Sequence, residues 1–207
     1  MSKIHIRRAL ISLADKNLLE SLLAGLGPFA IDVYSTGGTY SAISKWMENH
    51  TSRLRLIRLE TYLDYPEMPG GLVKTLHPRV HGGLLADLED PDQREHVHQH
   101  GMVTFDMLAV NLYPFEATVA RGASADECIQ QIDIGGVAML RAGAKNFRRV
   151  AVLSRPEDYA AVLSEMTPSG DLSQATLRYL ARIAFDQVLA YDQAIAKFFA
   201  RLEETPC

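Results

Sequence analysis

Apolar and polar segments alternate along the chain in a way that predicts strands and helices in turn. Ala9-Leu10-Ile11-Ser12-Leu13 is a short apolar run of strand length. Asp15 is a candidate helix N-cap, and a helix is predicted from about Asn17 to Leu26, where Gly27-Pro28 ends it. Ile31 to Ser35 predicts a second strand, running into Thr36-Gly37-Gly38-Thr39 and a helix to about Asn49. Leu54 to Leu59 predicts a third strand, less buried because Arg55 and Arg58 interrupt it. Asp90-Pro91 opens a short polar helix that Gly101 ends. Met107 to Leu112 is apolar almost throughout, the pattern of a parallel strand covered on both faces. Ser124 predicts a cap on a short helix through Gln131, with Asp126 and Glu127 in its first turn, and Asp133 a cap on the next. A fifth strand is predicted at Val150 to Leu153 and a helix from Pro156 to Met166. A long helix follows from about Ser173 to Leu202, with Leu177, Leu180, Ala184, Val188, Tyr191, Ile195 and Phe198 recurring at helical spacing. This last helix is either a cover for the core or a subunit interface.

Strands alternating with helices predict an α/β fold, a mostly parallel Rossmann-like sheet with helices on both faces in three layers. Ligands in such folds gather at the carboxyl ends of the strands. The polar segments there are Ser12 to Lys16, Ser35 to Thr39 and Asn111 to Phe115, with the segment opened by Asp133 as a fourth wall.

One stretch breaks the alternation. Tyr65 to Leu85 is rich in Gly and Pro, which argues against an ordinary helix or a central strand. It nevertheless carries Lys74, Thr75, His77, Arg79 and His81 among Leu72, Val73, Leu76 and Val80. A long irregular segment with its own apolar anchors reads as a functional loop.

Composition narrows the function classes. The 207 residues are 47% hydrophobic and 22% charged, which suits one domain over 1–207 with a sheet core at about 9–166 and a helical segment at about 173–202. The net charge is -4 and the basic residues are scattered, so no nucleic-acid footprint is present. An anionic ligand would therefore be held by a few local cations and backbone N–H groups. Cys128 and Cys207 have neither metal nor redox spacing, which fits a reducing cytoplasm. No signal-type run and no segment of membrane-spanning length is seen, so no membrane partner is expected.

Each candidate site competes with a plain structural reading. Ser35-Thr36-Gly37-Gly38-Thr39 follows a strand and opens a helix, the setting of a phosphate cradle. It also reads as a tight turn with a Thr cap. Lys16 would add a cation to the same rim, or sit solvated. Asp133-Ile134-Gly135-Gly136 places two glycines at a helix start, at a cost of about 1 kcal/mol each relative to Ala. A purely structural start would not need both, so Asp133 beside a bank of amides is a candidate proton acceptor. Asn111-Leu112-Tyr113-Pro114-Phe115 offers an amide and a phenol, or simply completes the core. Lys145 at a helix end reads as dipole compensation. His96 and His100 have the spacing of a helical zinc pair but polar surroundings and no third ligand, so a solvated face is the better reading and no metal is expected. Pro78 argues against a regular helical pair of His77 and His81.

Taken together and in order, Ser12 to Lys16, Ser35 to Thr39, Pro66-Glu67-Met68, Val73-Lys74-Thr75-Leu76-His77-Pro78, His81-Gly82-Gly83, Asn111 to Phe115 and Asp133 to Gly136 resemble the IMP cyclohydrolase domain. That domain is the N-terminal half of the bifunctional AICAR transformylase/IMP cyclohydrolase of purine biosynthesis, and the resemblance covers about Ala9 to Phe199. It implies a methylglyoxal-synthase-like fold and closure of 5-formamido-AICAR monophosphate (formyl-AICAR, FAICAR) to IMP with loss of water, in the cytoplasm. It implies no cofactor, a homodimer, and a separate AICAR transformylase, since no transformylase domain follows here. By the same resemblance the catalytic set is Lys74, Tyr113, Asp133 and Lys145, the last in proton transfer. Substrate contacts would come from Ser12, Ala14, Asp15, Lys16, Ser35, Thr36, Gly37, Gly38, Thr39, Leu72, Val73, Thr75, Val110, Asn111, Ile134, Gly135 and Gly136. Two positions depart from the family pattern: Leu72 stands where the family usually has Arg, and Ala14 where it usually has Ser. The rivals are a paralogue cyclising a related formamido nucleotide or nucleoside analogue, and a non-catalytic nucleotide-sensing domain. Asp133 and Lys145 are twelve residues apart, about 18 Å along one straight helix, so they meet only if that helix bends or ends, or across subunits.

Overall fold

The computed structural model describes residues 3–65, 68, 72–166 and 168–203. Pro66-Glu67 of the family pattern and Cys207 lie outside them. Five parallel strands form the main sheet in the order β4-β3-β2-β5-β6: β2 (Arg8–Leu13), β3 (Asp32–Ser35), β4 (Arg55–Arg58), β5 (Met107–Asn111) and β6 (Ala151–Leu153). The chain runs outward from β2 to β4, then returns to the other side of β2 for β5 and β6. The reversal falls between β2 and β5, paired so that Leu13 stands opposite Asn111.

Both faces of the sheet are covered. Ala9, Ile11 and Leu13 of β2 pack with α1 (Leu19–Leu26), α2 (Gly37–Asn49) and α9 (Tyr159–Met166) through Leu22, Ile43 and Val162. Leu10 of β2, with Leu108 and Val110 of β5, points the other way. It meets α3 (Leu59–Leu63), α4 (Pro78–Leu85) and α8 (Gly135–Lys145) through Leu59, Val80 and Met139. The period-2 alternation of side chains along each strand assigns these layers. The long helix α10 (Gln174–Glu203) buries Leu177, Leu180, Ala184 and Val188, so its first half is a core cover. Its second half brings Tyr191 and Phe198 onto Phe115 of α6 (Phe115–Ala120) and Cys128 of α7 (Ala125–Gln130). Cys128 is a packing residue there. No helix among the described residues is long and apolar enough to cross a membrane.

The predicted caps hold at Asp90, which caps α5 (Pro91–Gln99), and at Ser124, which forms a capping box with Glu127. Elsewhere the chain departs from expectation. Asp15 does not cap α1; its carboxylate takes the Asn17 N–H at 2.9 Å, and Leu18, with φ of 60°, precedes the helix. The third strand stops at Arg58, because Leu59 turns into α3 and is fully buried. The segment expected to be irregular contains α4. Pro78 occupies the first turn, where its missing N–H does no harm, and His77 Nδ1 accepts from Arg79 N–H at 3.1 Å. Gly83, inside α4, lies against the Val103 carbonyl and the Phe105 ring, where a side chain would clash. Unforeseen as well are α6 and a small antiparallel sheet of β1 (Lys3–His5) with β7 (Asp171–Ser173). On α5, where none of the residues is buried, the His96 and His100 rings lie 4.3 Å apart.

Candidate active site

The carboxyl ends of β2, β3 and β5 open on a cleft of about 1130 Å³ at the reversal in strand order. Its floor is fixed by Asn111. The side-chain oxygen accepts from the N–H groups of Ala14 at 2.7 Å and Asp15 at 3.1 Å, while Nδ2 donates to the Asp15 carbonyl at 2.6 Å. The neighbouring wall is tied in the same manner. Thr39 Oγ1 accepts from Leu13 N–H at 2.9 Å and donates to the Leu13 carbonyl at 3.0 Å, and Ser12 Oγ lies 3.2 Å from Thr36 Oγ1.

The start of α2 faces this floor. Gly37 has a φ of 45°, a left-handed conformation that glycine adopts without strain, and it turns the chain from β3 into the helix. Two lysines flank that turn. Lys16 Nζ, held by the Leu13 carbonyl at 3.3 Å, lies 3.7 Å from the point that a Gly38 Cβ would occupy. Lys74 Nζ lies 2.9 Å from the corresponding point at Gly37 and 3.6 Å from Glu60 Oε1. Exposed amides at a helix start, with cations on both sides, favour an anion of phosphate size.

Lys74 belongs to a turn with unusual backbone. Val73 has a φ of 53°, costly for a β-branched residue and of the kind that recurs at ligand sites. Thr75, next in line, is buried, and its hydroxyl sits so close to Gly135 that no side chain fits there. The turn carrying Lys74 is thereby pressed against the start of α8. Gly136 likewise leaves room for Asp133, whose Oδ2 lies 2.5 Å from the point a Cβ would take.

Asp133 is the most constrained acid in the cleft. Its Oδ1 accepts from Gly136 N–H at 2.7 Å. Burial pushes its carboxyl above the usual carboxylate range, against the opposing pull of the Gly136 and Tyr113 backbone groups. Its own N–H donates at 2.8 Å to the Tyr191 hydroxyl of α10, which in turn donates to the Gln131 carbonyl at 2.8 Å. Tyr191 itself is pushed up to about 12, chiefly by burial, so it stays a phenol.

The cleft therefore brings together Lys74, Tyr113 and Asp133 with Ser12, Ala14, Lys16, Thr36, Gly37, Gly38, Thr39, Leu72, Val73, Thr75, Val110, Asn111, Ile134, Gly135 and Gly136. Three expected residues are not on its wall. Ser35 is fully buried, its hydroxyl donating to the Ile11 carbonyl at 2.7 Å. Asp15 contributes backbone to the Asn111 clamp while its side chain turns back to Asn17. Lys145 is exposed at the far end of α8, which runs unbroken from Gly135 and so spans about 15 Å. With α8 continuous over that length, Lys145 lies off the cleft wall that Asp133 lines. Leu72 is 61% exposed at the mouth. Glu60 and Tyr191 were not anticipated; each acts across a long sequence separation, for which local spacing offers no sign.

Comparison with known proteins agrees with this architecture. The MGS-like domain family matches residues 19–138, and the AICARFT/IMPCHase bienzyme family matches residues 143–206. The chain is 45% identical over 196 residues to the bifunctional purine biosynthesis protein PurH of Parvibaculum lavamentivorans, covering 95% of this chain and 35% of that protein. It is 40% identical over 209 residues to PurH of Rhodospirillum rubrum, covering 39% of that protein. It thus spans little more than a third of the length of these relatives. The crystal structure of ForH superposes with a TM-score of 0.76 at 31% identity, covering 94% of this chain and 99% of that one. By family match, fold and relatives, the chain belongs to the MGS-like domain family and is similar over nearly its whole length to part of the bifunctional PurH proteins.

Proposed function

We propose that the protein is an IMP cyclohydrolase, closing formyl-AICAR to IMP with loss of water. The observation that carries this reading is the presence, in one cleft, of a half-buried carboxyl raised above its ordinary range, an anion cradle at the Gly37-Gly38 turn with Lys16 on its rim, and the ammonium of Lys74. A ribotide phosphate suits the cradle, and the ring-closing end of the substrate then reaches Asp133 and Tyr113.

In the reaction the carboxamide nitrogen attacks the formyl carbon. One C–N bond forms, the formyl oxygen becomes an oxyanion, and a proton leaves nitrogen. Asp133 takes that proton; a carboxylate with a raised pKa is the better base near neutral pH. The Tyr113 hydroxyl and the Lys74 ammonium are the donors for the oxyanion. That oxygen then takes up two protons, the one that left the carboxamide nitrogen and one from the formamido nitrogen, and departs as water while the C=N double bond forms. Formyl-AICAR is then the product of a formylating enzyme, for which the resemblance implies an AICAR transformylase.

Incubation with formyl-AICAR tests the proposal, with IMP formation followed against the uncatalysed rate. Lys74→Ala and Asp133→Ala are each expected to slow closure by about 100-fold or more, the scale of one acid–base or oxyanion group. A Lys74→Ala variant that raises KM with kcat intact would instead reduce Lys74 to a phosphate contact. IMP binding without any acceleration by the native protein would favour the nucleotide-sensing reading.

A further inference from the structure

Glu60 stands in the first turn of α3, outside every segment that carries the family resemblance. It lines a smaller cavity of about 390 Å³ that adjoins the cleft and shares Leu72, Val73, Lys74 and Leu76 with it. Its Oε1 lies 3.6 Å from Lys74 Nζ, and both side chains are only 22% exposed. Its Oε2 is buried and has no hydrogen-bond partner among the described residues. An acid early in a helix ordinarily complements the helix dipole from a solvated position. That role does not call for a buried, unpaired oxygen, which native proteins normally avoid.

The ammonium of Lys74 is also pressed to the Gly37 turn, where the helix start is itself positive. A cation there meets repulsion, which an approaching anion relieves. A carboxylate on its other side offsets that repulsion. At 3.6 Å the pair is longer than a charge-assisted hydrogen bond. It can orient the ammonium and still let it swing onto a ligand.

We propose that Glu60 is a positioning residue for Lys74, holding its ammonium over the Gly37 turn before an anionic substrate binds. This rests on the cyclohydrolase reading for its kinetic consequences, and on the geometry alone for the pairing itself. The role predicts a sign that plain electrostatics does not. Deleting a negative charge beside an anion site should by itself tighten ligand binding and leave kcat alone. Deleting a positioning group should lower kcat.

The test compares Glu60→Gln, Glu60→Asp, Lys74→Ala and the Glu60→Gln/Lys74→Ala double variant, each confirmed folded by circular dichroism. Two readouts are taken: steady-state closure of formyl-AICAR, and the rate of Lys74 reductive methylation relative to Lys16, measured by mass spectrometry. Glu60→Gln is expected to lower kcat about tenfold with KM changed less than about twofold, and Glu60→Asp to recover part of the loss. The double variant should be no slower than Lys74→Ala within about twofold, because the two residues act as one unit. Lys74 should be methylated about threefold faster in Glu60→Gln, with Lys16 unchanged, once the opposing carboxylate charge is gone. An unchanged Lys74 labelling ratio overturns the proposal, as does a double variant in which the two losses multiply. Should the native protein not accelerate closure at all, the function reading falls, and the labelling ratio still decides whether Glu60 holds Lys74.

Discussion

Asp133 binds its proton more tightly in the folded chain than in an open one, because burial disfavours the ionised carboxyl. By linkage, the stability associated with that proton is fully present below the ordinary carboxylate range and is lost as pH rises through the raised folded value. Asp133→Asn keeps an oxygen for the Gly136 N–H and has no charge to bury. It should therefore melt higher than the native protein at pH 7, with the gain shrinking as the pH is lowered toward 4, while closure is lost. Thermal unfolding at both pH values checks this; a lower midpoint at pH 7 would contradict it. At this scale the sequence was informative about residues that stand directly after strands. Lys16, Thr36, Asn111, Tyr113 and Asp133 do meet around one cleft. It misjudged Ser35, whose hydroxyl is taken by the Ile11 carbonyl one strand away. It also could not reveal Glu60 or Tyr191, whose partners are brought to them only by tertiary folding.

Among the elements, α4 shows where composition misleads. Gly82, Gly83 and Pro78 argue for a loop on propensity, yet the segment is helical and its Val80 and Leu84 are fully buried. Proline in the first turn costs nothing there, and glycine in the last turns lets the helix approach the 103–105 backbone closely. Tertiary packing outweighs intrinsic preference. A glycine in an exposed helix gains about 1 kcal/mol when changed to alanine. Gly83→Ala should do the reverse, destabilising by roughly 1–3 kcal/mol, because the new methyl meets the Val103 carbonyl. Urea unfolding would decide, and a stabilised variant would mean that α4 has room to shift. The helix α8 runs unbroken from Gly135 to Lys145. It carries Lys145 away from the cleft, whatever that residue does in relatives.

Across the whole molecule, the alternation of apolar runs made the three-layer α/β arrangement legible, since each buried strand needs cover on both faces. The order of the strands was not legible, because register depends on which edges meet and not on the pattern within one strand. The three-residue strands β1 and β7 were too short to leave a pattern at all. The long helix α10 joins stability to the candidate chemistry. Its first half covers the sheet, and Tyr191 in its second half holds the Asp133 turn from behind. Tyr191→Phe removes an acceptor for Asp133 N–H and a donor to Gln131. It should cost about 1–3 kcal/mol of stability and slow closure, with the ring packing on Phe115 retained. A variant as active and as stable as the native chain would separate α10 from the site.

The Asn111 clamp has a consequence for what the cleft can recognise. A side-chain amide offers two N–H donors and an oxygen with two lone pairs. Both lone pairs are engaged by the Ala14 and Asp15 N–H groups, and one N–H by the Asp15 carbonyl. These bonds leave one N–H of the amide unassigned, and any partner it takes must be an acceptor. Any molecule presenting a donor at that point, in place of a carbonyl, a ribose oxygen or a ring nitrogen, would face another hydrogen across the gap. The residue that ties the end of β5 to the segment after β2 thus has a single hydrogen-bonding character left to offer.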